Sequence, residues 1–207
     1  MPLLAGLLLA LAFPKFGWWW LAWFALGPFF WSLNRAKDLK QALRCGALFA
    51  FPFFAITLFW LTSLARFVGW WAYFGWLTLA LYQTIFFLLL ATCYFKLAPF
   101  KPRLFYPFLL SLAWVFIEWL RSVGPFGVSA GGVGYTQTPC LPLIQIASFT
   151  TVYGVSWLVV FFNAALADVA ATFRSPSDLR LFLVDKFIPT AKYWFFSPIN
   201  IWLSNAK

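Results

Sequence analysis

Long apolar runs separated by short basic clusters pattern this chain almost from end to end. A helix rises about 1.5 Å per residue and the hydrocarbon layer of a membrane is about 30 Å thick, so a span needs roughly 20 apolar residues. Cys45 to Leu64 meets that length. Val68 to Phe95 exceeds it, with Trp70, Trp71 and Trp76 where an interfacial aromatic belt would lie. Leu104 to Leu120 is shorter but uncharged before Glu118, and Val152 to Phe173 carries Asn163 and Asp168 in its second half. The opening divides in two. Pro2 to Phe13 would cover only roughly 18 Å as a helix, "FPKFG" at Phe13 to Gly17 should break it, and Trp18 to Leu33 follows as a second short segment. The pattern predicts an all-α fold: a polytopic transmembrane helix bundle of about six membrane segments over residues 1–174. The tail at 175–207 has Asp178, Asp185, Lys186 and prolines inside its apolar runs, and makes a poor span.

Composition supports the same reading. Of the 207 residues, 64% are hydrophobic and 24% aromatic, and the mean hydropathy is +0.85. A soluble domain of this length has too little interior to hide so much apolar surface, so lipid must cover it. Fifteen basic residues stand against five acids, for a net charge of +10. The bases sit in short clusters between apolar runs, which suits anionic lipid headgroups and not a nucleic acid. With the N-terminus inside, the inner loops hold Arg35, Lys37, Lys40, Arg44, Lys96, Lys101, Arg103 and Arg174, and the outer side only Lys15, Arg66 and Arg121. That asymmetry predicts a cytoplasmic N-terminus. No basic region precedes the first apolar run, so Met1 to Phe13 does not read as a cleaved signal peptide.

The chemistry-bearing residues are few. Cys45, Cys93 and Cys140 are widely spaced and the chain has no histidine, which excludes the usual zinc patterns and a disulfide framework; no metal and no cofactor is expected. The polar residues concentrate in "EWLRSVGPFGVSAGGVGYTQ", Glu118 to Gln137. Gly127-Val128-Ser129-Ala130-Gly131 satisfies the nucleophile-elbow spacing, but without a histidine nothing activates the serine. Val133-Gly134-Tyr135 shares letters with a potassium filter, yet Thr136 stands where the next filter glycine belongs. A third reading is a lipid or substrate site at the outer interface. Glu118 and Arg121, three residues apart, share a helical face and can pair. Trp114 and Trp119 suit headgroup depth, and the glycines permit close backbone approach. A charge near a membrane core is a functional suspect by default, whereas the bland alternative is an ion pair that merely ends the helix.

Four phrases in order also carry a resemblance: "LAFPKFGWWWLAWFALGPFFW", "EWLRSVGPFG", "GYTQTPCLPLIQIAS" and "VYGVSWLVVFFNAALAD". From about Leu11 to Asp168 the chain resembles the amino-terminal membrane region of apolipoprotein N-acyltransferases. The resemblance implies a multi-pass protein of the bacterial inner membrane whose bundle binds lipid substrates beneath a nitrilase-type domain. In the family, that domain moves an acyl chain from a phospholipid to the amino-terminal diacylglyceryl-cysteine of a lipoprotein. Its Glu-Lys-Cys triad has no counterpart in this chain, so no residue is assigned a catalytic role. Glu118, Trp119, Arg121, Tyr135 and Gln137 are the candidate lipid- and substrate-binding residues, with phospholipid and diacylated lipoprotein as the implied partners. The family commonly has Phe-Pro-Trp where this chain reads Val128-Ser129-Ala130, and proline in place of Lys15.

The leading expectation is the membrane part of such an enzyme, truncated and inactive by itself. Two alternatives stay open. One is a small transporter or channel with Asp168, Asn163 and Gln145 as its polar path; the other is an inactive remnant.

Overall fold

The computed structural model describes residues 1–97, 105–124 and 127–172. Contacts divide the chain into Met1–Asp168 and Val169–Lys207; the architecture below is that of the first unit, and the expected tail at 175–207 lies outside the described residues. The described elements are helical, and no strand occurs among them. In order they are α1 (Pro2–Leu11), a 3-10 turn (Trp19–Leu21), α2 (Ala22–Ala25), α3 (Gly27–Asn34), α4 (Leu39–Thr57), a 3-10 stretch (Phe59–Leu64), α5 (Ala65–Val68), α6 (Trp71–Leu97) and α7 (Tyr106–Leu120). A 3-10 turn (Val133–Gln137), α8 (Leu141–Ile144) and α9 (Ala147–Thr172) follow.

Three of these helices, at Leu39–Thr57, Trp71–Lys96 and Ala147–Ala170, are long and apolar enough to cross a membrane, while Pro2–Leu11 and Tyr106–Leu120 are shorter apolar helices. The six expected segments therefore correspond to α1, the α2–α3 pair, α4, α6, α7 and α9. Boundaries differ where local chemistry overrides the apolar run. The segment expected at Cys45 to Leu64 instead starts at Leu39, because Asp38 caps the helix by accepting a bond from the Gln41 amide (2.7 Å). It ends at Thr57, where the backbone tightens into the 3-10 stretch. The run from Val152 is preceded by a short helical turn, and Thr151 between them has φ 61° and ψ −178°, a conformation seldom held by a β-branched residue.

The outward faces explain why lipid is the solvent. Leu77, Leu81, Ile85 and Leu89, spaced four apart along α6, are all exposed, and so are Phe108, Leu112 and Phe116 on α7. These stripes are apolar where a soluble helix would be charged. Toward the interior, Phe29, Phe49, Phe53, Phe54, Phe87 and Trp114 are fully buried. Trp114 sits at their centre, with its ring 5.0 Å from that of Phe87, 6.0 Å from Phe49 and 6.4 Å from Phe29. The rings meet because small residues bring helices together. A side chain on Gly6 would collide with the Phe49 carbonyl of α4, and a Cβ on Gly46 would lie 3.1 Å from Ala91 on α6.

Two polar clamps hold broken or separate segments. Asn163 on α9 accepts from the amides of Leu26 (3.0 Å) and Gly27 (3.1 Å) and donates to the Ala22 carbonyl (2.9 Å), satisfying the backbone where α2 gives way to α3. Its fourth bond goes to the Val159 carbonyl at 2.9 Å. At one end of the bundle Tyr94 donates to Asn34 (2.6 Å), with the Tyr106 ring edge-on to it at 5.5 Å. At the other end Trp76 donates to the Ala55 carbonyl (2.9 Å). Glu118, the glycine-rich segment and Lys15 lie at that second end.

Candidate functional site

The last turn of α7 and the residue just after it supply the site's charges. Both are buried: Glu118 is 3% exposed and Arg121 1%. Glu118 Oε1 accepts the Trp114 indole N–H (2.9 Å) and the Val133 amide (2.8 Å). One oxygen thus joins the aromatic core to the glycine-rich segment. Arg121 directs its bonds not to Glu118 but to the Ala130 carbonyl (2.6 Å) and the Val128 carbonyl (3.2 Å). Gln83 on α6 reaches the same Val128 carbonyl at 3.4 Å. The expected ion pair is therefore a divided clamp, in which the carboxylate holds one side of the loop and the guanidinium the other. Arg121 stands just past α7 with its ring-facing side over Phe54, 5.4 Å from the centroid. Burial pushes its pKa down, and the charge of Glu118 opposes that shift.

The glycines make the clamp possible. Gly131 has φ 83°, which L side chains rarely adopt, and it lies against Phe54. Gly134 lies so close to α9 that a Cβ would approach the Val152 carbonyl to 2.5 Å, and its amide donates to Ser156 Oγ (2.8 Å). Val133-Gly134-Tyr135 accordingly forms a bonded 3-10 turn, with the Val133 carbonyl accepting from Thr136 (2.7 Å) and no ring of open filter carbonyls. Gln137 is wholly buried; it accepts from the Trp23 indole (3.1 Å) and donates to the Trp19 carbonyl (3.2 Å), fastening the loop to α2 and to the 3-10 turn before it. Between these walls Glu118, Arg121, Ser129, Gly132, Tyr135 and Tyr153 enclose about 10 Å³, room for about one water.

The five candidate residues thus form one cluster with two characters. Glu118, Arg121 and Gln137 are buried and direct their bonds to backbone and to the indoles of Trp114 and Trp23, whereas Trp119 (47% exposed) and Tyr135 (36%) face outward. Trp114 does not face outward with them: it is a buried core ring whose indole N–H is bonded to Glu118. Ser156, Gln83 and Tyr153, whose hydroxyl lies 2.8 Å from that of Ser122, belong to the same assembly. They come from helices that the motif itself does not contain. Separately, the 3-10 stretch, α5 and the first half of α6 border a groove of about 720 Å³ whose walls include Leu61, Leu64, Trp71, Trp76, Leu79 and Tyr82.

No group of three or more acidic, cysteine or histidine residues that could hold a metal occurs among the described residues. The three cysteines are unpaired and stand apart, Cys93 exposed on α6, Cys45 half-buried on α4 and Cys140 half-buried before α8. The polar path weighed for a transporter does not assemble either. Asn163 uses all its polar capacity at the α2–α3 break, and Gln145 is exposed.

The chain is similar in sequence to known proteins along most of its length. The family model described as the apolipoprotein N-acyltransferase N-terminal domain matches residues 5–165. An apolipoprotein N-acyltransferase of Geobacter metallireducens is 33% identical over 84% of this chain and 34% of its own length. Apolipoprotein N-acyltransferase 1 of Treponema denticola is 32% identical over 87% of the chain and 32% of its own length. A Chlorobaculum tepidum protein of the same name is 32% identical over 79% and 30%. The chain spans about a third of the length of these curated relatives. With the match running from α1 through the Glu118 clamp into α9, the chain belongs to the apolipoprotein N-acyltransferase family, in the region of that family's N-terminal domain.

Proposed function

We propose that this chain is the lipid-handling membrane domain of an N-acyltransferase of the bacterial inner membrane. It presents a phospholipid acyl donor and a diacylated lipoprotein acceptor to catalytic groups that lie outside its own residues. The observation that carries the reading is the apolar groove bordered by the 3-10 stretch, α5 and the first half of α6. At about 720 Å³ it falls within the range of small-molecule sites, its walls are aliphatic and aromatic, and it opens from the bundle near one end. An acyl chain fits that chemistry, since each buried methylene contributes about 0.8 kcal/mol. Trp119 and Tyr135 are the outward candidates for contact with the glycerol and headgroup region. Glu118, Arg121 and Gln137 keep the loop that carries Tyr135 in place. The N-terminus is cytoplasmic in this reading, which puts the clamp on the outer, periplasmic side.

Photolabelling tests it. A phospholipid carrying a diazirine in its acyl chain should label Trp71 to Tyr82 in excess of Ile85 to Leu89, and Leu79→Trp, which fills the groove, should suppress that excess. A diacylated lipopeptide should compete with the label. Equal labelling of both stretches, unaffected by Leu79→Trp, would show ordinary annular lipid and defeat the proposal.

A further inference from the structure

The break after α1 carries a cation that the clamp does not use. Lys15 lines a separate cavity of about 190 Å³ together with Ala10, Phe13, Ile56, Thr57 and Trp60, between the ends of α1 and α4. Its ammonium stands 5.3 Å from the ring centroid of Phe59 and 5.8 Å from that of Phe16. Rings hold a cation by their faces and leave its N–H donors available for an anion. None of the acids among the described residues supplies one: Asp38 caps α4 at the opposite end, Glu118 is committed to the loop, and Asp168 neighbours Tyr94 at that opposite end.

We infer that this cavity is a binding site for one anionic phospholipid, with the phosphate on Lys15 Nζ and the lipid's glycerol and first methylenes against Ala10, Phe13 and Ile56. Charge complementarity and wall chemistry select that occupant together. A free inorganic anion gains nothing from the apolar floor. A zwitterionic lipid brings its own cation toward Lys15, whereas an anionic one matches both halves of the site. The volume is below that of a site enclosing a whole ligand, so the remaining acyl length lies in the surrounding bilayer. Trp18, Trp20 and Trp60 are exposed at the same end, where indoles favour the headgroup level. The site does not depend on the acyl groove or on the Glu118 clamp.

Native mass spectrometry of the full chain released from micelles, with phosphatidylglycerol or phosphatidylcholine titrated in, tests the inference. Wild-type protein should retain one phosphatidylglycerol that Lys15→Gln binds about fivefold more weakly, the effect of one cation at an anionic surface. Lys15→Arg should keep it, and Ile56→Trp, which fills the floor with the charge intact, should lose it. Lys37→Gln at the opposite end should leave it unchanged. Equal losses in Lys15→Gln and Lys37→Gln would overturn the site as general charge attraction. Displacement of the bound lipid by inorganic phosphate at comparable concentration would overturn the lipid assignment in favour of a free anion.

Discussion

At the scale of single residues, the glycine-rich loop depends on two buried charges that each satisfy backbone. Removing Glu118 leaves the Trp114 indole and the Val133 amide without their acceptor, and removing Arg121 frees the Ala130 carbonyl. Glu118→Ala and Arg121→Ala should each destabilise the protein in detergent by on the order of 1–3 kcal/mol, the cost of orphaned buried groups. Glu118→Gln, which keeps an acceptor oxygen, should cost less than Glu118→Ala. Because both side chains hold one loop, the double alanine variant should lose less than the two losses added. Trp119→Ala and Tyr135→Ala, at exposed positions, should change stability by no more than about 0.5 kcal/mol. Thermal unfolding of these six variants checks the division into clamp and contact; a large loss at Trp119 with none at Glu118 would reverse it.

At the scale of elements, close approach of helices and repair of a broken one do most of the organising. Gly6 meets the Phe49 carbonyl, while a Cβ on Gly75 of α6 would meet nothing within 4 Å. Gly6→Ala should therefore destabilise the α1–α4 contact by about 1–3 kcal/mol, as overpacking does. Gly75→Ala should be neutral or stabilising, by up to about 1 kcal/mol from helix propensity. Comparing their melting temperatures isolates packing from propensity, and equal shifts would refute the close-contact account. Asn163→Leu preserves size but removes the partner of two amides and a carbonyl at the α2–α3 break. A loss of roughly 1–3 kcal/mol is expected, together with faster hydrogen exchange at Leu26 and Gly27. Unchanged exchange there would mean that Asn163 does not hold the break.

At the scale of the whole molecule, the bundle has two unlike ends. Asn34, Tyr94 and Tyr106 mark one, close to the basic cluster of Arg35, Lys37, Lys40 and Arg44; the clamp, Lys15 and exposed tryptophans mark the other. In a background with the three native cysteines replaced, an impermeant thiol reagent should reach Ser129→Cys in intact cells and Lys37→Cys only after permeabilisation. The reverse pattern would invert the proposed orientation. Labelling of both in intact cells would mean that the short opening segments do not cross separately.

Much of this protein is determined by its sequence read alone. Apolar run lengths set the succession of apolar helices, three of them long enough to cross a membrane, the shortage of acids and the excess of aromatics set the solvent as lipid, and Glu118 to Gln137 stands out because charge and glycine are rare elsewhere in the chain. These are one-dimensional properties, and they survive without knowledge of neighbours. What Glu118 and Arg121 touch is not such a property. Helical spacing places them on one face and favours a mutual pair, but the loop turns back at Gly131 and offers amides and carbonyls nearer than the opposite charge. Trp114 could have been an interfacial ring or a core ring by its sequence; burial among Phe29, Phe49 and Phe87 made it core. Asn163, legible as one polar residue in an apolar run, became the splint of a break more than a hundred residues earlier. Tertiary structure decided these because a buried polar group must find its partner wherever the fold brings one, and sequence separation sets no limit on that search.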